Sequence, residues 1–193
     1  MLSNATWQAL AAEYNKALRG AADGYLGIES VTNAEALADY VGERTRTITE
    51  DGVTLVWCLG RASVWEAVED DTPYVDFEAM VTAYDESIVT PLKLQVSDLW
   101  HDHPVFSRDD NLRFRVWHDT AHIDHGLSFT ADDEVELFRA QAAGIGSQAV
   151  RDALFCESVY QLAAAHVAGK YPDRQVVRTP GPVGRALLDA WGL

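Results

Sequence analysis

At 193 residues with 48% hydrophobic side chains, the chain is long enough to bury one sizeable core and too apolar to stay disordered. Thirty acidic residues against 15 basic ones leave a net charge of -15, and no Lys/Arg run or aromatic-basic stripe offers a nucleic-acid surface. The longest apolar run, Val53 to Leu59 with Thr54 inside it, is far below a membrane span, so neither nucleic acid nor membrane is an expected partner.

Among the bases only Lys16, Lys93 and Lys170 are lysine, and Asp outnumbers Glu 18 to 12. Many short acids with almost no lysine resemble the composition of halophilic archaeal or archaeal-virus proteins, whose carboxylates hold a dense hydration layer while salt screens their repulsion. An ordinary acidic protein is the rival reading. Cys58 and Cys156 lie in apolar surroundings, as buried free thiols of an intracellular chain would. The first residues lack the basic and apolar stretches of a secretory signal. The expected location is therefore a high-salt cytoplasm or a virion.

In chain order, Ala5 to Arg19 reads as a helix, with Trp7, Leu10, Ala11, Tyr14 and Leu18 on one stripe. Asn33 is a candidate N-cap for a short helix through Val41, closed by Gly42. Gly52 to Gly60 suits a strand, with one buried helix from Val53 to Val68 as the alternative. Pro73 opens a loosely helical segment from Tyr74 to Ser87, and Leu92 to His103 is of open state. Ser107 with Asp110 makes a capping box for a helix to His125, stopped by Gly126. Thr130 with Asp133 starts a second helix that ends near Gly144, and Ser147 starts a long third one through Ala168. A short last helix follows Pro182. The expected fold is mostly α, a single-domain helical bundle over 1–193 with one short strand or hairpin in the N-terminal part, 1–103, and a helical metal-site core over 104–193.

His118, His122 and His125 fall at i, i+4 and i+7, on one helix face. The i, i+4 pair lets two imidazoles converge on one ion, so His118 and His122 are the candidate ligands. Glu157 is the candidate third ligand, because its helix is otherwise nearly apolar and a buried carboxylate must be paired or metal-bound. Gln161, one turn on, is placed to orient Glu157. Glu134 and Gln141 can face the same cavity, and His166 and His125 are auxiliary or structural candidates; His125 also suits the helix C-terminus. The bland alternative is a polar network in which Glu157 pairs with Arg115 or Arg139. The expected cofactor is a divalent metal, zinc first, with iron or manganese as alternatives.

His118-Asp119-x-x-His122 resembles the zincin His-Glu-x-x-His, with Asp119 as base or orienter but one methylene shorter than the zincin Glu. His101-Asp-His103 combined with His118-Asp119 resembles the HD phosphohydrolases, with Asp152 as the nearest later Asp. The ferritin-like pattern needs Glu-x-x-His twice, and neither Glu134 nor Glu157 has His three residues on. The stretch from His103 to His122, carrying Phe114-Arg-x-Trp117-His118-Asp119-x-x-His122 and followed by a Glu-containing helix, resembles small helical proteins on tailed-phage genomes over about half the chain. That resemblance implies a viral origin and no established activity. The two expectations are a helical metal-binding protein acting as a metal-dependent hydrolase, and a non-enzymatic viral structural or host-interaction protein with a virion or host partner.

Overall fold

Helices dominate a computed structural model that describes residues 1–22, 27–70, 73–90, 92–99, 103–172 and 174–193. The elements run α1 (Asn4–Ala22), α2 (Ile28–Gly42), β1 (Thr45–Glu50), β2 (Val53–Cys58), β3 (Trp65–Val68), α3 (Phe77–Val89), β4 (Leu94–Ser97), α4 (Arg108–His125), α5 (Ala131–Ala143), α6 (Gln148–Phe155), a π-helical turn (Cys156–Tyr160), α7 (Gln161–Ala168) and α8 (Pro182–Trp191). They divide into two units, Met1–Leu37 with Asp102–Val105 and Thr130–Leu193, and Ala38–His101 with Phe106–Phe129. No helix among the described residues is long and apolar enough to cross a membrane.

The first unit is helical. The stripe on α1 is buried as its spacing predicts, with Trp7, Leu10, Ala11 and Tyr14 inside, and α1 packs along α7. Phe138, Phe155, Tyr160 and Trp191 meet edge-on or tilted at 5.0–6.3 Å, geometries that aromatic quadrupoles favour. Asn33 is not a cap: α2 begins five residues earlier, at Ile28, and Asn33 is buried within it. The helix opened by Ser147 does run to Ala168, but a π-helical turn interrupts it at Cys156–Tyr160. Hydrophobic periodicity carries no trace of one inserted residue.

The second unit holds more sheet than one hairpin. Four strands lie in the order β1-β2-β3-β4, with the first two pairings antiparallel and β3–β4 parallel. Asp51 and Gly52 both have positive φ, 50° and 80°, which matches the twist of a two-residue hairpin loop. The alternative of one helix from Val53 to Val68 does not form: β2 buries Thr54, Val56 and Cys58 and leaves Val53, Leu55 and Trp57 half-buried, a period of two. The segment after Pro73 becomes helical only at Phe77, where Asp76 accepts the Ala79 N–H at 2.8 Å and caps α3. Leu92 to His103, left open by its sequence, contains β4. Val56, Cys58, Trp65, Met80, Leu94, Val96, Leu112 and Val116 form one core cluster, so α4 is seated on the sheet by its Leu112–Val116 face.

Candidate metal centre

The α4 helix is fixed at both ends by the residues its sequence singles out. Ser107 and Asp110 close a reciprocal capping box, and Gly126 ends the helix in the left-handed region at φ 62°. Leu112, Val116 and Thr120 form the buried face, and the Cys58 Sγ lies 3.5 Å from the Thr120 hydroxyl. His118 is two residues from both Val116 and Thr120, about half a turn round the helix. The histidine pair therefore occupies the face of α4 turned away from the sheet.

On that face the His118 and His122 rings are perpendicular, with centroids 4.8 Å apart. His122 is 1% exposed. Its Nδ1–H donates to the Leu127 carbonyl at 2.8 Å, which assigns the tautomer whose Nε2 carries the lone pair that a metal takes. Phe114 stacks on His118 at 5.9 Å, and Phe129 meets His122 edge-on at 5.0 Å. His118 and His122 are thus a candidate pair of metal ligands on one face of α4, and imidazoles are donors that zinc, iron and manganese accept.

Glu157, the carboxylate singled out by its apolar helix, finds partners within the first unit. It sits in the π-helical turn with its side chain 5% exposed, and its Oε1 lies 3.3 Å from Nε2 of His103, which is 0% exposed. The His103 Nδ1 accepts the Val105 N–H at 3.1 Å, so Nε2 carries the proton donated to Glu157. Gln161 donates to the other Glu157 oxygen at 2.6 Å, and Gln175 donates to Gln161 at 3.5 Å. Arg115 donates to the Ser97 carbonyl, and Arg139 pairs with Glu136. Burial, with the Glu157 charge adding to it, pushes the Cys156 thiol and the Tyr14 hydroxyl up.

The remaining candidates separate. Asp119 lies one turn from Arg115 on α4. Burial lowers the Arg115 guanidinium, while the charges of Asp119 and Asp98 raise it. His125 is exposed in the last turn of α4, where a cation complements the helix dipole. His166 is exposed and packs its ring on Trp7 at 5.1 Å. Gln141 is buried and Glu134 half-buried on α5. Asp152 is clasped by Arg185 through bonds of 3.0 and 2.6 Å, a commitment that removes it from the HD-like arrangement. His101 lies outside the described residues. Compared with known proteins, the chain matches no family model, no curated protein and no solved structure.

Proposed function

We propose that the protein binds a divalent metal through His118 and His122 and uses it for hydrolysis, with zinc as the first candidate and iron or manganese as alternatives. The observation that carries this reading is the His118–His122 pair, four residues apart on α4 with ring centroids 4.8 Å apart. Two histidines four apart on a helix supply two of the three protein ligands that catalytic zinc sites of the His₂Glu kind use. A divalent cation held there would supply Lewis acidity toward a substrate oxygen and acidify a neighbouring water. The Leu127 carbonyl orients His122 through Nδ1. Asp119 contributes its charge beside Arg115, which supports a role in orienting groups on α4 over that of a free base. The acidic composition supports a high-salt setting, and the Phe114–His122 motif supports a viral one.

A second reading is favoured by a different observation. Phe114, His118, His122 and Phe129 make a continuous series of ring contacts at 4.8–5.9 Å, as a polar seam in a virion or host-binding protein would.

Zinc-loaded protein assayed on esters, peptides and phosphodiesters separates the two. Turnover of one class, abolished in His118→Ala and His122→Ala at unchanged folding, supports the hydrolase. A fully loaded protein that turns over none of them sinks it and leaves the seam.

A further inference from the structure

Where α4 ends, one candidate ligand and the helix stop are a single device. The Leu127 N–H donates to the His122 carbonyl at 3.1 Å, and the Gly126 N–H donates to the Ile123 carbonyl at 3.3 Å. This is the Schellman pattern, which requires a left-handed residue after the last helical one. Gly126 supplies it at φ 62°, ψ 33°. The same reversal brings the Leu127 carbonyl back over the helix, where it accepts the Nδ1–H of His122 at 2.8 Å. His122 and Leu127 are thus joined twice, once through the His122 backbone and once through its ring.

We infer that Gly126 is a positioning residue for the metal centre: its left-handed backbone sets the tautomer and aim of the His122 ring through Leu127. This inference rests on the metal-binding reading for its consequence, but not for its geometry. A Cβ at position 126 would meet nothing within 4 Å, so substitution there acts through backbone conformation alone. Asn tolerates the left-handed region, Ala less well and a β-branched residue least.

The test uses Gly126→Asn, Gly126→Ala and Gly126→Val in the full chain, with Gly52→Val as control. Gly52 also has a positive φ, 80°, and open space around it, but it lies in the β1–β2 turn. The first readout is the His122 tautomer in metal-free protein, from proton–nitrogen correlation spectra of the imidazoles. The second is cobalt(II) binding, followed by its visible absorption. We expect Nδ1–H in the wild type and in Gly126→Asn, loss of that tautomer in Gly126→Val, and cobalt(II) affinity weakened by about tenfold in Gly126→Val but within about threefold in Gly126→Asn. Gly126→Ala gives the same direction at smaller size if the Val variant fails to fold. A wild type without Nδ1–H, a Gly126→Val protein that keeps both tautomer and affinity, or a Gly52→Val control that disturbs His122 equally overturns the inference. The tautomer change without cobalt binding in any form upholds the positioning of the ring and overturns the metal-binding reading alone.

Discussion

His103 donates its Nε2–H to Glu157 across 3.3 Å, with the two side chains 0% and 5% exposed. A polar pair so deep in the first unit is tolerable only because each member is answered: Val105 serves the other His103 nitrogen, and Gln161 serves the other Glu157 oxygen. Removing one partner strands the other away from water, which costs more than the bond itself contributes. His103→Ala should therefore lower stability by about 1–3 kcal/mol in urea denaturation, while Glu157→Gln, which keeps the shape, loses less. A His103→Ala protein as stable as wild type contradicts this account of the pair.

Tyr160 and Gly184 make a second test of packing in the same unit. The Tyr160 hydroxyl donates to Glu13 and accepts the Gly181 N–H at 2.8 Å, while Glu13 accepts the Val183 N–H at 3.0 Å and so caps α8 from α1. A Cβ on Gly184 would lie 2.5 Å from that hydroxyl and 3.0 Å from Phe155. Gly184→Ala should destabilise by about 1–3 kcal/mol through overpacking. Tyr160→Phe removes the nearest atom, so the double variant should be more stable than the sum of the two single losses. Strict additivity in the double-mutant cycle would show that the hydroxyl is not the obstacle.

The pH dependence has a definite sign. Burial raises the Tyr14 and Tyr160 hydroxyls and the Cys58 and Cys156 thiols above their ordinary values. In the unfolded chain these groups release protons near pH 8.5 for the thiols and about 10 for the phenols, while the folded state keeps them. Above those values the unfolded state binds fewer protons, so stability falls as pH rises. Melting temperature should decline from about pH 8.5 upward and more steeply beyond about pH 10, and a thiol-reactive dye should label neither cysteine before unfolding. A melting temperature that holds level to pH 11 runs against this assignment.

A net charge of -15 makes the folded state repel itself at low ionic strength. Melting temperature should rise as KCl is increased from about 0.1 M, where the screening length is about 10 Å, to about 3 M. A flat or falling trend would remove the support for a high-salt setting.

The helices of the C-terminal half were legible because their ends are written in local chemistry. Ser107, Thr130, Ser147, Gly126 and Gly169 each cap or stop a helix where their side chains or glycine freedom predict. The sheet was harder to read. Two of its strands, β3 and β4, are four residues long, too short for an alternating pattern to stand out from loop. The candidate site was half legible. His118 and His122 announce themselves by spacing, whereas a carboxylate such as those of the acidic first turn Asp132-Asp133-Glu134 carries no signal of its own, being common there for the helix dipole alone. Glu157 drew attention because a carboxylate in an apolar helix needs a partner. That partner proved to be His103, 54 residues away, a distance over which periodicity says nothing.

The most direct measurement is bound metal. The protein is equilibrated with zinc, dialysed, and analysed by elemental mass spectrometry beside His122→Ala and His118→Ala, with circular dichroism confirming that each is folded. The metal-binding reading predicts one zinc per wild-type chain, none retained by His122→Ala and a marked loss in His118→Ala. A wild type that retains no zinc, iron or manganese, or a His122→Ala protein that retains as much as wild type, contradicts it.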